Sequence, residues 1–489
     1  MIGCRANGVG RWGPYTLSSV RPAAEYALGP LRATRQAWTC VSAAPAVLPR
    51  QWEVSATSAS IGAACEYGAP NDEAAVTESF TVWVGIDWGA EEHRVWVTAA
   101  SGACLGERRV AHRGVALLEL AEWLVSLAGG HAAAIAVALE TPRGPVVDLL
   151  IERGCVVFAL NPKQLDRFRD RWSAAGAKDD RRDAEVLANA LRTDPRAFCR
   201  LEPDDPLTVQ LREAVRQDAE LTEDLRRAAN RLREHLVRVW PELLALAPAA
   251  DEPWFWTVLD LAPAPHAAAR IRPARLRQLL REHHIRRVTA EEVLVVLRTP
   301  SVHLAAGVRE GVLPRITDLI EQLRILHAQR RRAERRMADT LVALAETPTE
   351  TGREHPDVTV LQSLPGIGVR IAARMLADAA RPLRARDYHA LRVLVGVAPV
   401  TKQSGKSRLV RMRHACHHPL RAACHAWAQV SIRDDPRSRA HYQQLRARGH
   451  NHARALRGVV DRLLALLIAM LRTNTLYEAT RWAAQGIPA

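Results

Sequence analysis

Val84-Gly85-Ile86-Asp87-Trp88-Gly89 ends the β-rich run Phe80 to Asp87 on an acid. A short apolar run rich in β-branched and aromatic residues, closed by a turn residue, predicts a strand with a carboxylate at its C-terminal end. Arg94 to Thr98 and Cys104 to Ala111 follow as short strands of an antiparallel meander. A helix is predicted from about Gly114 to Leu127, with Leu117, Leu118, Leu120 and Leu124 as its apolar face. Ala133 to Glu140 is a second apolar strand ending in an acid, Pro145 to Arg153 a helix, Cys155 to Leu160 a strand, and Lys163 to about Leu191 a helix broken at Gly176. Three meander strands followed by alternating helix and strand describe an RNase-H-like α/β domain over residues 78–200.

That order gives four acids a shared meaning. Asp87 and Glu140 end strands, and Asp180 and Asp183, in Lys178-Asp179-Asp180-Arg181-Arg182-Asp183, are three apart and share one helical face. Taken singly, each is a solvated charge, and the last two an ordinary arginine-paired helix. Together, in the order of the fold, they form a candidate catalytic and metal set for magnesium or manganese, which take carboxylate and water oxygens and stabilise the oxygens of a phosphodiester under attack. Asp179 is expected to project elsewhere.

The chain is 489 residues long, 48% hydrophobic and 25% charged, enough for two or three cored domains. A formal net charge of +15 directs attention to polyanion partners, nucleic acid first, because neutralising phosphates releases counterions. Nearly all of that charge is arginine. The only lysines are Lys163, Lys178, Lys402 and Lys406, and three of them stand beside candidate site residues. The eight scattered cysteines lack any CxxC pair and suggest reduced thiols in a cytoplasm. No secretory segment is evident, and the apolar run Leu463 to Leu471 is too short to span a bilayer, so no membrane partner is expected.

Residues 1–77 carry Gly, Pro, Ser and Ala without periodicity and are expected to be a disordered extension or sequence upstream of the true start. Residues 201–350 are expected to hold two long amphipathic helices, one through Leu211, Leu221 and Leu232 and one through Ile316, Leu323 and Met337. They suit an antiparallel hairpin or a coiled-coil contact between subunits, with a small Pro-interrupted helical insertion near 241–313. Residues 351–480 are expected to be mostly helical. There Leu364-Pro365-Gly366-Ile367-Gly368 has the form of a helix-hairpin-helix turn whose Gly366 and Gly368 would admit a phosphate, a plain packing corner being the alternative.

Further on, Lys402-Gln403-Ser404-Gly405-Lys406-Ser407 looks superficially like a phosphate-binding loop, but Val400 stands where that motif needs glycine. A serine among Lys402, Lys406, Arg408 and Arg411 suits attack on phosphorus or simple phosphate contact. The segment His414 to His418 with Cys424 and His425 lacks zinc-ligand spacing.

Gly85-Ile86-Asp87, Leu139-Glu140-Thr141, Asn161-Pro162-Lys163, Lys178 to Ala184, Leu364 to Gly368 and Gln403-Ser404-Gly405 resemble, in order and spacing, the DEDD-type insertion-sequence transposases of the IS110 family. The resemblance spans about 80–478 and departs at Cys416-His417, where many members carry Gly-Asn. It implies a junction-resolvase-like domain with magnesium at Asp87, Glu140, Asp180 and Asp183, and Ser404 as a serine that links covalently to DNA. It also implies a homo-oligomer, dimer or tetramer, in which acids and serine come from different subunits, and a guide RNA pairing with DNA at the element ends and target. A junction-resolving nuclease without serine chemistry and a non-catalytic nucleic-acid-binding protein are the other readings. An actin-like sugar kinase would need phosphate and adenosine motifs that the sequence lacks.

Overall fold

The computed structural model describes residues 79–171, 179–300, 305, 307–347 and 354–478. The extension expected over 1–77, the break at Gly176 and the candidate Lys178 lie outside the described residues.

A six-stranded mixed sheet forms the N-terminal part, in the order β3-β2-β1-β4-β5-β6. β1 (Val82–Asp87), β2 (Glu92–Ala99) and β3 (Cys104–Ala111) make the expected antiparallel meander, while β4 (Ile135–Leu139) and β5 (Val156–Ala159) add in parallel to β1. β6 (Cys199–Arg200) closes the edge antiparallel to β5 and has no sequence signal of its own, being two residues long. All five residues of β4 are buried, as a central strand covered on both faces requires.

Two helices, α1 (Gly114–Leu127) and α2 (Pro145–Glu152), cover one face, burying Leu120, Leu124, Val147 and Leu150 against Val82, Val84, Ile86, Val137 and Leu139. The helix expected from Lys163 to Leu191 is two helices, α3 (Pro162–Asp170) and α4 (Asp180–Thr193). α3 begins at a cap, with Lys163 N–H donating to the Asn161 side chain at 3.0 Å and Pro162 at the first helical position. α4 packs on the second face, where Val186, Leu187, Ala190 and Leu191 share a core with Ala136, Ala138 and Phe158.

The two long helices are α5 (Pro206–Val239) and α10 (Val308–Glu346). Leu211 shares a core with Met337 and Leu341, and Leu236 with Ile316, so they run antiparallel as a hairpin within one chain. Between them lies the expected insertion, made of α6 (Pro253–Leu261), α7 (Pro265–Ala268), α8 (Pro273–Glu282) and α9 (Ala290–Arg298) around Trp254, Phe255 and Trp256. Three of the prolines that break the sequence pattern there, Pro253, Pro265 and Pro273, stand at the starts of α6, α7 and α8, where a missing N–H costs nothing.

The C-terminal part contains α11 (Asp357–Gln362), α12 (Val369–Asp378), α13 (Ala380–Arg384), α14 (Tyr388–Val395), the hairpin of β7 (Val400–Ser404) and β8 (Ser407–Arg411), and α15 (His418–Asp434), α16 (Pro436–Ala447) and α17 (His452–Thr473). Its core includes Leu211 and Val215 of α5 and Leu341 of α10, so the base of the long hairpin is built into it. Arg212, almost wholly buried, fastens the junction by pairing with Asp204 at 2.6 Å and donating to the Ala377 carbonyl. Cys104, Cys155, Cys416 and Cys424 are free thiols. Among the described residues, no helix is long and apolar enough to cross a membrane, and the run Leu463 to Leu471 lies in the buried α17.

Candidate active site and nucleic-acid interface

Successive side chains of a strand point to opposite faces, so each acid's face follows from its neighbours. Gly85 lies flat against α4, for a Cβ there would stand 1.9 Å from the Ala184 carbonyl oxygen and 2.6 Å from the Ala188 nitrogen. Asp87, two residues on, shares that face. Ile86 is level with Leu139 across the parallel pair, so Glu140 follows beside Asp87, and it shares the α4 face with Ala136 and Ala138. α4 runs back from this edge, with Ala184 at Gly85 and Leu191 in the core beside Trp83. Its first turn, carrying Asp180 and Asp183, therefore lies at the same end as Asp87 and Glu140. The unsatisfied N–H groups of that turn favour negative charge.

The four acids are not alike. Asp183 is buried and ion-paired, Arg169 Nε of α3 lying 2.8 Å from its Oδ1, while Asp180 is exposed and Asp87 and Glu140 are half-buried. Asp179 precedes the first turn as its exposed N-cap residue. A donor set of carboxylate oxygens suits a hard divalent cation. Its members do not converge here: among the described residues, no group of three or more His, Cys, Asp or Glu side chains is close enough to hold a metal ion. The guanidinium beside Asp183 supplies the countercharge that a buried carboxylate requires. Arg169, which also pairs with Asp166 at 3.0 Å, is a residue that sequence reasoning missed, because nothing in the spacing ties α3 to α4.

Ser404 is not in an irregular loop. It ends β7 and faces Ser407 of β8 across a turn of two residues, Gly405 and Lys406. Gly405 has φ +55°, the left-handed backbone that a two-residue hairpin demands at its first central position. The Ser-Gly-Lys-Ser segment is thus a hairpin turn rather than a phosphate-binding loop. Opposed residues share a face of the ribbon, so Ser404, Ser407, Lys402 and Arg411 stand on one face and Gln403 and Arg408 on the other. Every residue from Thr401 to Arg411 is exposed. Ser407 escaped sequence reasoning, although Gly-Lys between two strand-like runs carried the signal.

The turn Leu364 to Gly368 divides its two glycines. Gly366 has φ +81°, and a Cβ there would lie 3.1 Å from the Ser431 nitrogen. The preceding Pro365 carbonyl accepts hydrogen bonds from Trp427 Nε1 and Ser431 Oγ, both at 2.9 Å. Packing on α15 accounts for Gly366. Gly368 instead caps the N-terminus of α12 with open space around its Cα. His417 N-caps α15, its Nδ1 accepting from the Leu420 N–H at 3.2 Å.

Comparison with known proteins matches residues 84–241 to the transposase domain described as DEDD_Tnp_IS110, and residues 358–443 to the transposase IS116/IS110/IS902 family. A putative transposase of Sinorhizobium fredii is 47% identical over 216 residues, covering 44% of this chain and 60% of that protein, so the match spans less than two thirds of its length. The mini-circle putative transposase for IS117 of Streptomyces coelicolor is 30% identical over 409 residues, covering 83% of this chain and 97% of that protein. The uncharacterized 42 kDa protein of insertion element IS900 from Mycobacterium paratuberculosis is 29% identical over 412 residues, covering 82% and 99%.

Proposed function

The chain belongs to the IS110 family of transposases, and from that membership we propose that it cuts and rejoins DNA at the ends of an insertion element, with Ser404 as nucleophile. The observation that carries the reading is the placement of Asp87, Glu140 and the first turn of α4 on one face and one edge of the sheet. The strand order, a meander joined to parallel β4 and β5, supports an RNase-H-like nuclease domain. Asp87, Glu140, Asp180 and Asp183 would hold magnesium or manganese, which supplies charge stabilisation for a phosphodiester under attack.

Ser404 acts at the exposed end of the ribbon, where a DNA backbone has free access. Its Oγ gives up a proton and bonds to phosphorus, a deoxyribose oxygen leaves and takes up a proton, and the phosphodiester energy is kept in the serine ester for rejoining. Lys402 on the same face and Lys406 at the turn offset charge on the phosphoryl oxygens. Arg408, Arg411 and the Gly368 helix start contribute backbone contacts, which position DNA without reading it. Sequence reading then falls to a guide RNA paired with the DNA, and the serine of one subunit meets the acids of another in a homo-oligomer.

The test is to incubate the full chain with element-junction DNA, candidate RNA and magnesium, digest it, and map any DNA-linked peptide by mass spectrometry. An adduct on Ser404 is expected. Magnesium-dependent cutting with no adduct would replace this reading with a junction-resolving nuclease. Lys402→Ala with Lys406→Ala is expected to flatten the plot of log affinity against log salt by about 0.9 for each phosphate that is no longer neutralised. An unchanged slope would remove both lysines from the interface.

A further inference from the structure

On the face of the sheet opposite the acids, one polar pair interrupts an apolar layer. His93, wholly buried, precedes Arg94, the antiparallel partner of Asp87, and alternation places it with Val95 and Val97, away from α4. The Gly89 N–H donates to His93 Nδ1 at 3.4 Å, and His93 Nε2 stands 2.9 Å from His112 Nδ1. In a neutral imidazole one nitrogen donates and the other accepts. With Nδ1 accepting from Gly89, the His93 proton sits on Nε2 and is donated to His112. Burial, and then the neighbouring His112, hold the His93 imidazole below its ordinary range, which keeps it in this neutral form.

Trp88 rests on this pair. Its ring lies 4.7 Å from the His93 ring and 5.0 Å from the His112 ring. Another part of the ring covers Gly144, where a Cβ would lie 3.3 Å from the indole and where φ is +113°. Trp88 follows Asp87 directly, and Gly144 belongs to the turn that follows Glu140. One rigid ring thus touches both acid-bearing loops, and the two imidazoles fix the side from which it approaches. A buried histidine pair is ordinarily just satisfied core. Here the hydrogen-bonded chain ends on the backbone of the Asp87 loop, and the ring it supports ends on the Glu140 loop.

We propose that Trp88, held by His93 and His112, is a positioning residue that sets the separation of the Asp87 and Glu140 loops and so tunes their affinity for a divalent cation. This rests on the reading of those acids as cation ligands. Groups that orient metal ligands change affinity by about 10- to 100-fold when removed.

The experiment titrates manganese into full-length protein, followed by electron paramagnetic resonance at a temperature where each variant is folded, with DNA affinity and Tm measured alongside. Trp88→Ala is expected to weaken manganese binding about 10-fold or more, His112→Ala to weaken it less, and Trp88→Phe to restore most of it. DNA affinity should hold in all three. Should Trp88→Ala fail to fold, His112→Ala and Trp88→Phe still order the affinities. A lowered Tm with wild-type manganese affinity in Trp88→Ala or His112→Ala would overturn the proposal and leave a purely structural ring. Asp87→Asn separates the two levels: wild-type binding insensitive to it would sink the cation reading itself, whereas binding sensitive to Asp87→Asn but not to Trp88→Ala would sink only the positioning role.

Discussion

Ser404→Ala is expected to abolish the covalent protein–DNA adduct and to lower strand transfer by on the order of 10⁴-fold, the scale on which a nucleophile's removal is felt. The substitution deletes one oxygen and keeps the Cβ. Ser404 is exposed at the end of β7, its backbone paired with Ser407, so the stability change should stay within about 0.5 kcal/mol. DNA affinity should also hold, since Lys402, Lys406, Arg408 and Arg411 remain. Abolished transfer with retained binding and Tm is therefore the signature. Ser407→Ala is the matched comparison, because Ser407 shares the face and the exposure of Ser404. If Ser404→Ala still forms an adduct and Ser407→Ala does not, the nucleophile sits across the turn from its assigned position. If neither change affects transfer, the ribbon only contacts phosphate.

The strands that carry Asp87 and Glu140 are legible because burial on both faces writes itself as an apolar run with an acid at its end. Val82, Val84 and Ile86 are needed for one core, and Ala136 and Ala138 for the other. What the sequence withholds is of a different kind. Arg169 meets Asp183 through the packing of α3 on α4, a tertiary contact with no periodicity to announce it. β6 is too short for alternation to register. The ribbon bearing Ser404 reads as a loop because its strands bury nothing, and an exposed hairpin has no apolar alternation beyond Leu409 and Val410. Its one signal is conformational: Gly405 in a two-residue turn. At Gly366, expected to admit phosphate, the positive φ and the closeness of Ser431 add a packing requirement that the sequence does not announce.

Gly85→Ala ties fold to site most directly. The added methyl would stand 1.9 Å from the Ala184 carbonyl oxygen, 2.6 Å from the Ala188 nitrogen and 2.9 Å from the Ala184 carbonyl carbon. All three are helix backbone, which has no rotamer in which to retreat, so α4 itself must lift from the sheet. Overpacking of this kind costs about 3 kcal/mol, and a clash with backbone belongs at the upper end of the range. Gly114→Ala, where the new Cβ meets nothing within 4 Å, should leave stability unchanged within about 0.5 kcal/mol. The displacement matters more than the energy. α4 carries Asp180 and Asp183, whereas Asp87 and Glu140 stay with β1 and β4, so lifting the helix separates the two halves of the acidic set. A misplacement near 1 Å costs about 10²-fold in rate. Gly85→Ala protein, assayed well below its lowered Tm, is therefore expected to bind DNA normally through the C-terminal part and to cleave at least about 10²-fold more slowly. Wild-type cleavage in a protein with a clearly lowered Tm would mean that the position of α4 against β1 is irrelevant to the chemistry, and the acids on it would have no part in the reaction.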